Sequence, residues 1–110
     1  MIKPKKVLDA GCGVGRYIYN LSRKSPEDQY WGVDLSESNI ADAAKNFPKI
    51  NFKQMSVEQL MFSNSSFDVV ISRDVLEHVD DPEKALTEMT RVINPGGKLI
   101  IKIPGEKSEQ

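Results

Sequence analysis

The residues best suited to binding a ligand lie in one short stretch, residues 9–16, which reads DAGCGVGR. Its glycines, Gly11, Gly13 and Gly15, let the chain turn tightly and approach a ligand with no Cβ in the way. A dinucleotide fingerprint G-x-G-x-x-G requires glycine where this chain has Arg16. The Asp9 carboxylate is expected to repel a pyrophosphate ~6 Å away by about 2–3 kcal/mol, and to attract a sulfonium or ammonium by as much. The stretch therefore predicts a cationic cofactor without phosphate groups.

A second acidic residue, Asp34, ends a predicted strand 19 residues after Gly15. A carboxylate at that point can accept two hydrogen bonds from a ribose diol, and charged acceptors form the stronger hydrogen bonds. The alternative is that Asp34 only helps to cap the helix that begins near Ser36. Leu35, the next residue, offers an apolar wall to an adenine ring.

The only histidine of the sequence, His78, is the candidate catalytic group. Asp74 and Glu77 precede it at a spacing that places all three side chains on one face of a helical turn. Three interpretations are open: a general base, a metal site with oxygen and nitrogen ligands, or a loop that leads into a helix capped by Asp81. The sequence shows no Ser-His-Asp or Cys-His constellation, and Cys12 is interpreted as a small side chain that fits between two glycines.

The elements that must position these residues alternate between strands and helices. Strands are predicted over residues 6–9, 29–34, 50–54, 67–72 and 98–103. Helices are predicted over residues 15–24, after the cap Ser36 and after Asp81-Pro82, with one helical turn within 56–62 and a turn at 94–97. This alternation predicts a parallel α/β sheet with right-handed crossovers, whose ligands bind beyond the carboxyl ends of the strands.

The composition predicts one globular domain, residues 1–110, and argues against several classes of protein. Fifteen basic and sixteen acidic side chains leave a formal charge of −1, so no nucleic acid and no anionic membrane is expected as a partner. No apolar run approaches the ~18 residues that a membrane span needs. A single cysteine is typical of a reducing compartment, so a cytoplasmic location is predicted.

Four segments, VLDAGCGVGR, WGVDLS, FDVVISRDVLEHV and RVINPGGKLIIKIP, resemble in their order the successive motifs of class I S-adenosylmethionine-dependent methyltransferases. The resemblance spans residues 7–104 and is strongest to the small-molecule branch that includes the ubiquinone- and menaquinone-pathway enzymes. It implies a Rossmann-like, doubly wound, mostly parallel sheet of about five strands, without the last two of the family's seven. It also implies S-adenosylmethionine as the cofactor and an unidentified small molecule as the methyl acceptor.

The resemblance also assigns cofactor-binding residues. The glycine loop would hold the methionine part of the cofactor through Asp9, Gly11, Cys12, Gly13 and Gly15. Asp34 would hold the ribose hydroxyls, Met55, Ser56 and Val57 would lie along the adenine, and Ser72 and Arg73 would line the methionine side. Ser56 stands where the family commonly has aspartate, so its hydroxyl would accept the adenine hydrogen bond without charge, unless Glu58 replaces it through a shifted loop. No metal is assigned.

Two rival functions and a question of assembly stay open from the sequence. The missing strands fit a cofactor-binding fragment or regulatory module without transferase activity. A glycine turn also fits an NAD-binding oxidoreductase, against which Asp9 and Arg16 argue. Because the fifth strand has no predicted antiparallel neighbour, we expect either a homodimer formed at that strand or a chain that completes the sheet.

Overall fold

The structure, a computed structural model, describes residues 3–104. Its strands are β1 (Lys6–Ala10), β2 (Gln29–Asp34), β3 (Asn51–Gln54), β4 (Phe67–Arg73) and β5 (Ile93–Lys102). Its helices are α1 (Arg16–Lys24), α2 (Glu37–Asn46) and α3 (Pro82–Arg91), and a short 3₁₀ turn covers Leu76–His78. The predicted domain, residues 1–110, extends past the described range at both ends.

The five strands form one parallel sheet in the order β3-β2-β1-β4-β5. Strands β2 and β3 are added in turn on one side of β1, and β4 and β5 are then added on its other side. Open α/β sheets bind their ligands at such a reversal, outside the carboxyl ends of the strands. The topology confirms the predicted fold class, and it brings the ends of β1, β2 and β4 to one edge of the sheet.

Helices cover both faces of the sheet. On β1, Val7 belongs to an apolar cluster with Ile18 of α1, whereas Leu8 belongs to a second cluster with Ala85 and Met89 of α3. The side chains of Leu8, Ile18 and Met89 are fully buried. Because successive strand residues point to opposite faces, a strand covered on both sides is apolar at consecutive positions. The same pattern predicts β4 from the sequence.

The pairing of β4 with β5 is irregular near its start. Phe67 pairs with Ile93 and Val69 pairs with Lys98, so residues 94–97 bulge out opposite a single residue of β4. Within the bulge Gly96 takes a φ of +83°, a conformation that favours glycine. The prediction that β5 starts only at Lys98 is wrong, because an edge strand can accommodate extra residues in a bulge and keep its register beyond them.

An ion pair on α3 holds the long connection between β3 and β4. Glu88 Oε1 accepts a hydrogen bond from the backbone N–H of Leu60 at 2.8 Å, and Arg91 donates to the carbonyl oxygens of Leu60 and Phe62 at 2.8 and 2.9 Å. Arg91 Nε lies 2.8 Å from Glu88 Oε2, and this hydrogen bond is the main cause that holds the pKa of Glu88 below its ordinary value. In place of the helical turn predicted within 56–62, the structure has a single turn, in which Gln59 N donates to the carbonyl oxygen of Ser56 at 3.1 Å.

The sheet leaves one apolar edge uncovered within residues 3–104. On β5, Ile100 and Ile101 are 48% and 38% exposed. Over the same range no helix is both long enough and apolar enough to cross a membrane.

Candidate functional site

A glycine turn follows β1 and begins the site. The backbone N–H groups of Gly11 and Cys12 both donate to the carbonyl oxygen of Val33 at 2.8 Å, which ties the turn to β2. A Cβ on Gly11 would overlap the side chain of Val75, whereas a Cβ on Gly13 would meet nothing within 4 Å. Both glycines have positive φ values, +91° and +56°. Gly11 therefore serves close packing, and Gly13 leaves open space where a ligand can approach the backbone.

A cleft of about 370 Å³ opens beside this turn, at the carboxyl ends of the strands. Its volume lies within the range of roughly 300–1,000 Å³ that is typical of small-molecule sites. Eight residues predicted for the site line it: Gly11, Gly13, Asp34, Leu35, Ser56, Val57, Arg73 and His78. Residues that the sequence analysis did not assign to the cofactor also line it, namely Glu58, Asp74, Val75, Val79 and Asp80.

Asp34 joins the cleft to its supporting elements. One carboxylate oxygen accepts a hydrogen bond from Gly13 N at 3.1 Å, and the other accepts from Ser36 N at 3.1 Å and from Asn39 Nδ2 at 3.3 Å. The side chain that caps α2 is Ser36, whose Oγ accepts from Asn39 N at 3.1 Å. The two interpretations of Asp34 are therefore compatible, since its carboxylate lines the cleft and also fixes the glycine turn and the start of α2.

The apolar and hydroxyl groups of the cleft stand near Asp34. Leu35 is 69% exposed and lines the cleft, so its apolar side chain is accessible to a ligand. Ser56 Oγ accepts a hydrogen bond from Glu58 N at 3.0 Å, and its hydroxyl hydrogen remains available to a ligand. Glu58 itself points to another loop, where its Oε2 accepts from Asp80 N at 3.1 Å. Glu58 thus does not take the place of the aspartate that Ser56 replaces.

Asp9 lies below the cleft and does not line it. Its residue is only 2% exposed, and burial raises the pKa of its carboxyl to about 7, an effect that Arg73 opposes and Asp34 reinforces. Near neutral pH a carboxyl with this pKa is only partly ionised. The expectation that Asp9 supplies a full negative charge against phosphate ligands is thereby corrected.

Arg73 brings a positive charge to the cleft. Its guanidinium carbon lies 3.9 Å from the centre of the Tyr17 ring, a cation–π contact that orients the side chain. Arg73 is the only lysine or arginine that lines the cleft within residues 3–104. A ligand that carries a carboxylate would find its partner here.

Four other predicted residues are buried beneath the cleft and do not line it: Cys12, Gly15, Met55 and Ser72. Burial raises the pKa of the Cys12 thiol to about 12, with Asp9 and Asp34 adding to the shift, so this thiol is no nucleophile at neutral pH. A Cβ on Gly15 would lie 2.7 Å from the ring of Phe52, which explains its glycine by packing. Their assignment to the cofactor stays a prediction.

The acidic and histidine side chains after β4 do not form a cluster. His78 is 76% exposed at its side chain, and its Nε2 lies 3.4 Å from Glu77 Oε2. Asp74 instead pairs with Lys102, with Nζ and Oδ2 3.3 Å apart. Asp74 has a positive φ of +56° and the 3₁₀ turn begins only at Leu76, so the three residues do not share one helical turn. In the described part of the chain no three His, Cys, Asp or Glu side chains are placed to hold a metal ion.

Comparisons with known proteins agree with this geometry. A family model described as a methyltransferase domain matches residues 8–101. Among curated proteins, a ubiquinone biosynthesis O-methyltransferase of Coxiella burnetii is 38% identical over 103 residues, which are 89% of this chain and 43% of that protein. The malonyl-acyl-carrier-protein O-methyltransferase of Hahella chejuensis is 32% identical over 99 residues, 88% of this chain and 36% of that protein. The chain thus spans less than half the length of these relatives.

Solved structures have the same fold as this chain. The (4+2)-cyclase SpnF superposes with a TM-score of 0.85 at 25% identity, covering 92% of this chain and 39% of that one. A SAM-dependent methyltransferase from Methanosarcina mazei gives a TM-score of 0.82 at 27% identity, covering 92% and 53%. These matches confirm the predicted fold and, with the family model, S-adenosylmethionine as the cofactor of the family. The chain belongs to the family of S-adenosylmethionine-dependent methyltransferase domains.

Proposed function

We propose that this domain binds S-adenosylmethionine in the cleft beside the glycine turn and serves methyl transfer to a small-molecule acceptor in the cytoplasm. The observation that carries the proposal is the juxtaposition of open space at Gly13 with the Asp34 carboxylate, which are linked by a 3.1 Å hydrogen bond. The cofactor supplies a methyl carbon that its sulfonium has already activated. The protein then has mainly to align the reactants, a task that needs few catalytic groups.

Each wall of the cleft fits one part of this cofactor. Asp34 can accept the ribose hydroxyls while it keeps its bond to the Gly13 N–H. Leu35 and Val57 offer apolar surface to an adenine, and Ser56 offers a neutral hydroxyl to its polar edge. Arg73, which Tyr17 orients, would pair with the carboxylate of the methionine part.

His78 is our candidate for proton transfer. It lines the cleft and is highly exposed, so an acceptor bound above the cofactor could reach its imidazole. Such a base is needed only when the acceptor must lose a proton. We therefore expect His78→Ala to lower kcat for hydroxyl acceptors while the affinity for the cofactor stays unchanged.

One rival function is supported by a specific observation. SpnF, described as a (4+2)-cyclase, shares this fold with a TM-score of 0.85, so the fold alone does not fix the reaction. Cofactor binding without methyl transfer is therefore the alternative for this chain.

A partner that completes the sheet is a further part of the proposal. The exposed isoleucines of β5 lie on an open strand edge. A neighbour in the set of solved structures, 25% identical, is described as a complex of a methyltransferase with the Trm112 activator of Haloferax volcanii. We propose that the open edge of β5 is covered by a second copy of this chain or by another chain.

Calorimetric titration tests the cofactor assignment. S-adenosylmethionine and S-adenosylhomocysteine should bind to the wild type and NAD should not. Asp34→Asn should weaken binding by about 1.5–3 kcal/mol, the range for hydrogen bonds to a charged group. Asp42→Asn is the matched control, because Asp42 lies on the exposed side of α2. NAD binding without S-adenosylhomocysteine binding would refute the assignment, and binding without turnover of any acceptor would favour the binding module.

A further inference from the structure

Two loops face each other across the cleft, and one side chain joins them. The β3 loop, residues 55–60, follows β3, and the β4 loop, residues 74–81, connects β4 to α3. Glu58 of the β3 loop accepts hydrogen bonds at its Oε2 from the backbone N–H groups of Asp80 and Asp81, at 3.1 and 3.3 Å. Both loops line the cleft, so this bridge spans its two walls.

The β4 loop is otherwise held at its start, by the packing of Leu76 and Val79 on the apolar core, and by α3 at its end. Asp74 N donates to the carbonyl oxygen of Lys102 at 2.8 Å, and Val75 packs on the Cα of Gly11. The 3₁₀ turn that follows makes no hydrogen bond to another element within residues 3–104, and its imidazole is largely exposed. The hydrogen bonds to Glu58 are therefore the only polar contacts that join residues 76–81 to another loop within residues 3–104.

The β3 loop is itself held in place by hydrogen bonds. The Glu88–Arg91 pair on α3 holds its end at Leu60, and Ser56 Oγ accepts a hydrogen bond from Glu58 N at 3.0 Å. A carboxylate is well suited to the task, because ionised acceptors form stronger hydrogen bonds with backbone N–H groups. Its charge also faces the start of α3, whose dipole favours a negative neighbour.

We propose that Glu58 is a positioning residue that holds the β4 loop against the cleft and so sets the affinity of the site for its cofactor. The inference rests on the proposed function only in taking the cleft as the cofactor site. Without the bridge, residues 76–80 keep only the apolar packing of Leu76 and Val79 between the two fixed ends of the loop, and they sample positions further from the cleft. Binding then requires the loop to be ordered again, and the affinity falls by the fraction of molecules with a closed loop.

Two variants of Glu58 and one control test the proposal. Glu58→Ala removes both hydrogen bonds, whereas Glu58→Gln keeps an oxygen that can accept them. Glu83→Gln removes an exposed carboxylate on the first turn of α3 that makes no contact across the cleft in the described structure. We expect Glu58→Ala to weaken S-adenosylhomocysteine binding by about 10-fold, equivalent to ~1.4 kcal/mol, with Glu58→Gln and the control staying within about threefold.

Amide hydrogen exchange without ligand supplies a second readout, independent of the cofactor assignment. Glu58→Ala should speed exchange in residues 75–81 and leave β1 and β4 unchanged. If exchange rises equally throughout the chain, Glu58 only stabilises the fold and the proposal is overturned. It is also overturned if neither exchange nor affinity changes. If the wild type binds no S-adenosylhomocysteine, the proposed function fails, while local exchange still decides the role of Glu58. Should Glu58→Ala not fold, Glu58→Asp replaces it, because its shorter side chain withdraws the carboxylate from the N–H groups of Asp80 and Asp81. Faster exchange in residues 75–81 together with weaker binding would support the proposal, and unchanged exchange and affinity would overturn it.

Discussion

Asp9→Asn gives a quantitative test of the electrostatics under the cleft. Burial raises the pKa of the Asp9 carboxyl from its ordinary 3.8 to about 7. Between these values the folded protein keeps a proton that the unfolded chain has released. The free energy of unfolding therefore falls as the pH rises from about 4 to about 7, and levels off above that. Below pH 4 both states hold the proton and Asp9 contributes nothing to the slope.

The size of the effect follows from the two pKa values. One pKa unit corresponds to ~1.36 kcal/mol, so the full shift of Asp9 is worth about 4 kcal/mol and the part between pH 5 and pH 8 about 3 kcal/mol. Asparagine has nearly the same shape and carries no charge. The free energy of unfolding of Asp9→Asn, measured relative to that of the wild type, should therefore rise by about 3 kcal/mol between pH 5 and pH 8. The lost attraction to Arg73 adds only an offset that does not change with pH.

Urea unfolding of both proteins at pH 5, 6, 7 and 8 measures this change. Taking the difference between variant and wild type at each pH removes the contributions of other titrating groups, such as Asp68 and Glu88, whose pKa values are lowered by hydrogen bonds. Asp42→Asn, on an exposed helix surface, should show no trend with pH. A difference between Asp9→Asn and the wild type that stays constant from pH 5 to pH 8 would refute the reasoning.

Three further predictions concern the supports of the site. Gly11→Ala should destabilise the fold by about 2–4 kcal/mol, because the added Cβ overlaps Val75 and the residue has a positive φ. Gly13→Ala should cost only the ~1–2 kcal/mol of backbone strain, since its Cβ meets nothing. Equal losses of stability in thermal unfolding would contradict this. Arg91→Met should lower the free energy of unfolding by about 2–4 kcal/mol, because it removes hydrogen bonds to the partly buried carbonyl groups of Leu60 and Phe62. An unchanged urea midpoint would show that the ion pair is dispensable. The sedimentation coefficient of the wild type should rise with protein concentration because the chain self-associates. Ile101→Lys should abolish this rise by placing a charge on the open edge of β5. A wild type that stays monomeric at all concentrations would argue against self-association.

Local signals in the sequence predict most of the architecture. Ser36 and Asp81 both accept a backbone hydrogen bond three residues on, at 3.1 Å, as their cap positions require. The apolar run of β4 and the glycine turn after β1 are also where the sequence puts them. These features depend on residues close in the chain, so composition and spacing reveal them.

Contacts between distant parts of the chain could not be predicted in this way. Glu58 bonds to residues 22 and 23 positions away, and Glu88 bonds to Leu60 28 positions away. In the sequence these carboxylates resemble any other charge on a solvated surface. The burial of Asp9 also depends on contacts between distant parts of the chain. Only the packed sheet determines how much water reaches its carboxyl group, and therefore its pKa.

The selectivity against phosphate that the sequence attributed to Asp9 has a better source in the cleft lining. Four carboxylates line the cleft, those of Asp34, Glu58, Asp74 and Asp80. The positive charge of Lys102 balances the charge of the Asp74 carboxylate, and the positive charge of Arg73 balances one further carboxylate. Two negative charges therefore remain in excess around the cleft. A pyrophosphate would meet this excess with only Arg73 to bind it, whereas a sulfonium with an amino acid tail presents positive groups to the carboxylates and one carboxylate to Arg73. The electrostatic preference therefore holds even if Asp9 is neutral, and Asp9→Asn should leave the discrimination between S-adenosylmethionine and NAD unchanged.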